Sequence, residues 1–243
     1  MSALPNEPIE PHATRCVALV PCAGVGARAG TSAPKQYMAL AGQAVVAHTL
    51  RALQAVPRLH ATLVVLAPDD TQFELHNPAF DGPRAWVARC GGASRAHSVL
   101  NGLAALRERG VQDDDWVLVH DAARCLLRPV WVDRLIDACL DDAVGGLLAL
   151  PLSDTLKEES AGRITATLDR RCKWLAQTPQ MFRLGLLHRA LVVGTAGPAE
   201  ITDESSAIEA LGHAPLLVPG HAENVKVTWP ADLALAQRLL ETR

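Results

Sequence analysis

The chain has 243 residues, of which 49% are hydrophobic and 20% are charged, and its formal net charge at pH 7 is −3. These proportions are typical of a folded globular protein and exclude a largely disordered chain. They also exclude a protein that coats nucleic acid, because such a protein needs a broad basic surface. Any anion that the protein binds must therefore be held by a few local cations.

The sequence shows no membrane span and no secretion signal. Its longest apolar runs, such as 145–152, are too short to cross a bilayer, and the N-terminus lacks the cationic-then-apolar order of a signal peptide. The six cysteines occur singly and without a Cys-x-x-Cys pair, which favours reduced packing thiols over disulfides or a zinc site. We therefore expect a cytoplasmic protein with no membrane partner.

The predicted elements alternate between strands and helices after a loose, flexible tail at residues 1–14. Apolar runs predict strands at 16–21, 61–67, 85–89, 116–120 and 145–151, and helical spacing predicts helices at 45–55, 95–108 and 130–140. This alternation predicts one Rossmann-like α/β domain over 15–243, with a mostly parallel sheet covered by helices on both faces. Ligands of such folds bind at the carboxyl ends of the strands.

The pattern changes between residues 152 and 176. Two polar–apolar alternating segments, 154–159 and 163–169, flank Ser160-Ala161-Gly162, which predicts a β-hairpin. Both segments are too polar to be buried on two sides, so we expect a protruding arm that lies against a partner subunit. The remaining predictions are helices at 185–193, 203–211 and 230–242 and short strands at 215–218 and 224–228.

The first predicted strand leads into a glycine-rich loop, Pro21-Cys22-Ala23-Gly24-Val25-Gly26-Ala27-Arg28-Ala29-Gly30, followed by Pro34-Lys35. Backbone N–H groups of such a loop can face an anion. A dinucleotide-binding turn fits Gly24-x-Gly26-x-x-Ala29 loosely, but the acidic residue expected about 20 positions later is missing. The Gly-Lys-Ser/Thr of a P-loop is missing too. The open alternatives are a phosphate clamp with Arg28 and Lys35, and a plain turn with both cations solvated.

Two further segments follow predicted strands. Asp121 comes directly after the strand at 116–120, where one carboxylate can hold Mg²⁺ if nucleotide phosphates supply other ligands; a helix or turn cap is the alternative. Its neighbour His120 is interpreted as structural. The turn Gly91-Gly92-Ala93-Ser94 precedes the helix at 95–108, and its glycines allow a base or sugar to approach the backbone, with Ser94 or Ser98 as hydrogen-bond partners; simple capping by Ser94 is the alternative.

Seven blocks taken together resemble the 2-C-methyl-D-erythritol 4-phosphate cytidylyltransferases from about residue 15 to the end. They are Pro-x-Ala-Gly-x-Gly-x-Arg, Pro34-Lys35-Gln36-Tyr37, Gly91-Gly92-x-x-Arg95-x-x-Ser98-Val99, His120-Asp121-Ala122-Ala123-Arg124, Thr178-Pro179-Gln180, Thr202-Asp203-Glu204 and Asn224-Val225-Lys226-Val227-Thr228. The departures from the family pattern are Ala93, Cys125 and Trp229, where an acidic residue, proline and arginine are familiar.

The resemblance implies a nucleotidyltransferase-type fold and transfer of CMP from CTP to methylerythritol phosphate, with release of pyrophosphate, in the non-mevalonate route to isoprenoids. It implies that Arg28, Lys35 and Lys226 are catalytic, that Asp121 binds Mg²⁺, and that the nucleotide is bound by Ala23, Gly24, Gly26, Gly92 and Ser98. It assigns the sugar phosphate to Arg124, Thr155, Arg170, Thr202 and Lys226. Of these, Thr155 and Arg170 lie on the arm that reaches the neighbouring site of a homodimer.

The sequence leaves three other functions open. A ribitol 5-phosphate cytidylyltransferase has similar loops, an NAD(P)-dependent oxidoreductase would use the loose glycine fingerprint, and a nucleotide sensor would bind CTP without turnover. From the length of the chain, we expect that the cyclodiphosphate synthase domain fused to some family members is absent.

Overall fold

The structure is a computed structural model that describes residues 14–24, 34–197 and 201–242. The tail at 1–13 and the predicted nucleotide-loop residues Gly26 and Arg28 lie outside the described residues. Among those that are described, no helix combines the length and apolar character that a bilayer crossing requires.

The described elements alternate as the sequence predicts. The strands are β1 Cys16–Pro21, β2 Ala39–Leu40, β3 Gln43–Ala44, β4 Leu59–Val65, β5 Ala85–Ala88, β6 Trp116–Val119, β7 Gly145–Pro151, β8 Leu156–Ser160, β9 Arg163–Leu168, β10 Trp174–Arg183 and β11 Leu216–Pro219. The helices are α1 Val45–Gln54, α2 Phe73–His76, α3 Arg95–Glu108, α4 Pro129–Cys139, α5 Leu184–Ala196, α6 Glu204–Ala210 and α7 Pro230–Glu241.

Seven strands form the central sheet, in the order β11-β7-β10-β6-β1-β4-β5. β1 pairs in parallel with β4 and β6, and β4–β5 and β7–β11 are parallel as well. Only β10, of the strands described in this sheet, runs antiparallel, and it does so to both β6 and β7. The prediction of an α/β fold with a mostly parallel sheet is confirmed.

Side chains of β1 alternate between two apolar layers, as the period of a strand dictates. Val17 and Leu19 join the core cluster that includes residues of α3 and α5, while Ala18 and Val20 join the cluster that includes residues of α1 and α4. Helices therefore cover both faces of the sheet, which explains why the strand is a continuous apolar run.

The structure corrects the sequence prediction at one element and adds others. Residues 224–228, predicted as a strand, have no regular secondary structure. The structure also contains elements that the sequence pattern did not predict: the long strand β10, the short helix α2 and the small β2–β3 hairpin. β10 was not predicted because polar residues and Pro179 stand in its middle, at Gln177-Thr178-Pro179-Gln180, and a proline there normally argues against a central strand.

The predicted hairpin is present as the antiparallel pair β8–β9, a separate two-stranded sheet. Nearly all of its side chains are exposed, including Ile164 at 67%. An isolated two-stranded hairpin is marginally stable in water. This hairpin therefore lacks, within the described part of the chain, the apolar cover that a strand pair usually needs.

Candidate active site

The carboxyl ends of two central strands open into one cleft. Because β1 and β6 are parallel neighbours, the residues that follow them, Cys22 and Asp121, lie at the same edge of the sheet. The cleft has a volume of about 720 Å³, which is the size of a small-molecule site. Its described lining is Pro21, Cys22, Ala23, Gly24, Lys35, Gln36, Gly92, Ala93, Ser94, Arg95, Ser98, Asp121, Ala122, Ala123, Lys226 and Thr228.

Gln36 fixes the start of the glycine-rich loop. Its buried side-chain amide donates hydrogen bonds of 3.1 Å to the carbonyl oxygens of both Cys22 and Gly24. The short 3₁₀ turn that carries Gln36 also carries Lys35, which lines the cleft. Lys35 therefore lies beside the end of β1.

The second glycine turn is packed too tightly for side chains. A Cβ on Gly92 would lie 2.6 Å from the Cβ of His97, and a Cβ on Gly91 would lie 2.8 Å from the carbonyl oxygen of Leu66. The Ser98 hydroxyl accepts a 3.0 Å hydrogen bond from the Gly92 N–H and donates a 2.9 Å bond to the Ser94 carbonyl. Gly92 lines the cleft, and a turn without side chains allows another group to approach its backbone closely.

Ser94 caps α3, because its hydroxyl accepts a hydrogen bond from the His97 N–H. Capping was one of the two interpretations that the sequence allowed for this serine, and it is confirmed.

Asp121 is the centre of a cluster of cations. Its Oδ1 accepts a 3.0 Å hydrogen bond from Nε of Arg95, and its Oδ2 lies 2.9 Å from Nζ of Lys226 and 3.6 Å from Nε of Arg124. Burial by itself would raise the pKa of Asp121, but the charges of Arg95, Lys226 and Arg124 hold it well below its usual range. The carboxylate is therefore ionised throughout the physiological pH range, and the cleft wall around it is net positive.

Thr178 and His120 hold the Asp121 backbone in place. The Thr178 hydroxyl accepts a 3.0 Å hydrogen bond from the Asp121 N–H and lies 3.0 Å from Nδ1 of His120, while Nε2 of His120 lies 3.2 Å from the Arg124 carbonyl. These partners suit a neutral ring with its proton on Nε2. Burial lowers the pKa of His120 to about 4. The structural role predicted for His120 agrees with this geometry.

Asn224 explains why residues 224–228 do not form a strand. Its buried side-chain amide donates a 2.8 Å hydrogen bond to the Thr178 carbonyl. The backbone carbonyl of Asn224 accepts a 2.6 Å bond from Nη1 of Arg124. The Val227 N–H donates a 2.9 Å bond to the Ala123 carbonyl. These bonds tie the segment to the loop after β6, which places Lys226 over Asp121.

The predicted site residues that the structure describes, which exclude Gly26 and Arg28, fall into three groups. Seven of them line the cleft: Ala23, Gly24, Lys35, Gly92, Ser98, Asp121 and Lys226. Arg124 is ion-paired with Asp121, and Thr202 is an exposed residue two positions before α6. Thr155 and Arg170, at the ends of the exposed hairpin, are not among the described residues that line the cleft.

The sequence did not indicate a role in the site for Arg95 or Glu204. Nη1 and Nη2 of Arg95 donate hydrogen bonds of 2.6 and 3.1 Å to the two carboxylate oxygens of Glu204, whose side chain is fully buried. Arg95 stands in the Gly91–Ser98 block, so its presence there was the only signal. Its partner is far away in sequence, and no local pattern connects the two.

The residues present fit a magnesium ion held by a single carboxylate. Among the described residues there is no group of three or more His, Cys, Asp or Glu side chains that could hold a metal on its own. Mg²⁺ needs few protein ligands when phosphates and water complete its shell. Each oxygen of the Asp121 carboxylate has two lone pairs, so an oxygen that pairs with a cation retains acceptor capacity.

A cleft at the carboxyl ends of parallel strands, lined by two glycine turns and by cations around one carboxylate, defines an α/β nucleotidyltransferase. A family model described as 2-C-methyl-D-erythritol 4-phosphate cytidylyltransferase matches residues 16–242. The chain belongs to this family of cytidylyltransferases. This match favours neither the ribitol phosphate enzyme nor the dinucleotide-dependent oxidoreductase among the alternatives.

Individual relatives agree with the family. A 2-C-methyl-D-erythritol 4-phosphate cytidylyltransferase of Laribacter hongkongensis is 56% identical over 93% of this chain and 96% of its own length. A bifunctional enzyme IspD/IspF of Albidiferax ferrireducens is 61% identical over 94% of this chain, which spans only 54% of that relative. A crystal structure of a 4-diphosphocytidyl-2C-methyl-D-erythritol synthase superposes with a TM-score of 0.83 at 42% identity, covering 94% of this chain and 99% of the other.

Proposed function

We propose that this protein transfers CMP from CTP to 2-C-methyl-D-erythritol 4-phosphate in isoprenoid biosynthesis. One observation of the structure supports this most directly. Lys35, Lys226, Arg95 and Arg124 converge on the cleft and its Asp121, although the chain as a whole is net negative. Such a local positive field suits two phosphorylated reactants that repel each other.

The reaction needs no nucleophilic side chain. A phosphate oxygen of the acceptor attacks the α-phosphorus of CTP, the new O–P bond forms, and the bond to the β-phosphate oxygen breaks, so that pyrophosphate leaves with the electron pair. The enzyme must align the two anions and stabilise the charge between them. Lys35 is assigned to the triphosphate, and Lys226 and Arg124 to the acceptor phosphate. Arg28 is proposed to act with Lys35.

We propose Mg²⁺ as the cofactor, held by Asp121 together with phosphate oxygens and water. The ion would supply positive charge to the triphosphate when bound. The chain's own contribution is the permanent ionisation of Asp121, which its cationic neighbours secure. The backbone of the Gly91–Gly92 turn is proposed to contact the cytidine, together with Ala23, which packs directly against Gly91, and Gly24.

A homodimer is the proposed assembly. The β8–β9 hairpin is exposed and carries Thr155 and Arg170 at its ends, away from the described lining of its own cleft. Packing of the hairpin on a second copy would cover exposed apolar side chains such as Ile164, and would bring these polar residues to a neighbouring cleft. A cytoplasmic location is also proposed, and it is supported by six cysteines without disulfide partners.

A pyrophosphate-release assay tests this function. The protein is incubated with CTP, Mg²⁺ and 2-C-methyl-D-erythritol 4-phosphate, and in parallel with ribitol 5-phosphate or with ATP, GTP and UTP. We expect turnover with CTP and methylerythritol phosphate that exceeds every other combination by at least tenfold. Faster turnover with ribitol 5-phosphate, or CTP binding without any turnover, would contradict the proposal.

A further inference from the structure

Arg95 connects three parts of the cleft that are separate in sequence. It is the first residue of α3, directly after the second glycine turn; it bonds Asp121 at the end of β6 and Glu204 at the start of α6. We propose that Arg95 is a positioning residue, anchored by Glu204, which sets the orientation of the Asp121 carboxylate and so the place of the acceptor. This inference rests on the proposed cytidylyl transfer.

The geometry uses the whole guanidinium fork. Nη1 and Nη2 grip both oxygens of Glu204, at 2.6 and 3.1 Å, while Nε donates to Oδ1 of Asp121 at 3.0 Å. A planar group with donors in fixed directions can hold two carboxylates at a defined angle, and a lysine ammonium cannot reproduce this arrangement. The orientation of Asp121 is therefore transmitted from Glu204 through a rigid group.

Glu204 is a firm anchor because its own surroundings are fixed. Its side chain has no solvent exposure, and an unpaired carboxylate there would be strongly unfavourable. The neighbouring Asp203 accepts a 2.9 Å hydrogen bond from the side chain of Gln180, which in turn accepts a 2.8 Å bond from the Ser205 N–H. The start of α6 is thus bound to β10 as well as to Arg95.

The consequence for the reaction depends on which cation contacts each carboxylate oxygen of Asp121. Arg95 occupies Oδ1, so Oδ2 is the oxygen that faces Lys226 and Arg124. If Arg95 is lost, the carboxylate can turn and its two remaining cations move with it. A misplacement of about 1 Å of a substrate-holding group costs on the order of 10²-fold in rate. Loss of Arg95 should therefore affect the acceptor side more than the binding of CTP.

A merely structural role would be different, because Arg95 would then serve only to neutralise Glu204. The two roles are separated by Arg95→Gln, Arg95→Lys and the double variant Arg95→Gln/Glu204→Gln. Arg95→Gln leaves a buried carboxylate without a partner, so its Tm should fall by several degrees. The double variant removes both charges and should regain most of that loss in Tm.

We expect these substitutions to affect stability and activity differently. In the double variant and in Arg95→Lys, we expect kcat/KM for methylerythritol phosphate to stay about 30- to 100-fold below wild type, with KM for CTP within about threefold. Arg107→Gln is the matched control, since Arg107 also lies on α3 and the substitution removes its ion pair with the exposed Asp113. The control should keep kcat/KM within twofold of wild type.

Each other outcome overturns the inference. Recovery of kcat/KM together with Tm in the double variant would mean that Arg95 only neutralises Glu204. A rise in KM for CTP as large as that for the acceptor would make Arg95 a nucleotide ligand instead. Full activity of Arg95→Lys would show that the fork geometry is unnecessary. Absence of turnover by the wild-type protein would overturn the proposed function itself, and this inference with it.

Discussion

Nζ of Lys226 lies 2.9 Å from Oδ2 of Asp121, although the two residues come from opposite halves of the chain. Asp121 is nearly buried, whereas the Lys226 side chain is 39% exposed. Both residues line the cleft, and the lysine is the more accessible of the two, so a phosphate group in the cleft can reach it. This pair is the point at which the proposed metal and acceptor sites meet.

Asp121→Asn should lower turnover by about 10²- to 10³-fold and raise the Mg²⁺ concentration needed for half-maximal rate. The amide keeps the shape of the side chain but removes the charge that holds Arg95, Arg124 and Lys226 together. Pyrophosphate release measured over a Mg²⁺ titration checks this. Asp137→Asn, in which the changed side chain is 70% exposed on α4, is the control and should behave as wild type. An unchanged Mg²⁺ requirement in Asp121→Asn would place the metal elsewhere.

Lys35→Ala should lower kcat by about 10²- to 10³-fold, the scale of losing one donor to the transition state. The reason is that Lys35 lines the cleft beside the end of β1, where the triphosphate is proposed to lie. Steady-state rates with saturating CTP and acceptor measure the effect. Arg51→Ala, on the exposed side of α1, is a control that removes a cation outside the cleft. Near-normal turnover of Lys35→Ala would move the clamp to other residues.

Arg170→Ala should weaken acceptor binding at the site of the neighbouring subunit rather than at its own. Dimers formed by co-expressing Arg170→Ala chains with Lys35→Ala chains should then regain roughly a quarter of wild-type activity, because half of a random mixture is mixed dimer with one intact site. Rates of the purified mixture are compared with those of the two parent variants.

A second mixture serves as the control for this experiment. Lys35→Ala and Asp121→Asn affect the same cleft of the same chain, so their mixed dimers contain no intact site and should gain nothing. If the Arg170→Ala mixture also gained nothing, the sites would not be shared between subunits.

His120 should make the protein less stable below about pH 6.5. Its pKa is lowered by burial to about 4, so the unfolded chain binds a proton between pH 6.5 and 4 that the folded protein does not. The free energy of unfolding should fall by about 3 kcal/mol over this range, and this contribution is fully present above pH 6.5.

Urea unfolding at several pH values checks this dependence. His120→Asn should have a shallower pH dependence over that range than the wild type, whatever its absolute stability. His213→Asn, which changes an exposed histidine, should keep the wild-type slope. Identical slopes for the wild type and His120→Asn would contradict the assignment of a neutral buried ring.

The sequence was most informative where a structural rule is local. The prediction for α3 at 95–108 and that for β7 at 145–151 match the structure at both ends, because capping and apolar runs depend on neighbouring residues. The same holds for the hairpin β8–β9, whose turn residues and alternation are contiguous. The strand predicted at 224–228 failed because tertiary hydrogen bonds of Asn224 and Val227 replaced strand pairing.

What the sequence determined by itself is the class of fold, the glycine turns, the position of Asp121 after a buried strand, and the family through its motifs. The tertiary structure decided which side chains meet. Strand β10 runs antiparallel between β6 and β7, and so brings Thr178 to Asp121 and Gln180 to α6. The Arg95–Glu204 pair likewise exists only after folding. The physical reason is that local sequence patterns determine the backbone conformation that a segment prefers. The partner of a buried charge is determined by how segments distant in sequence pack together.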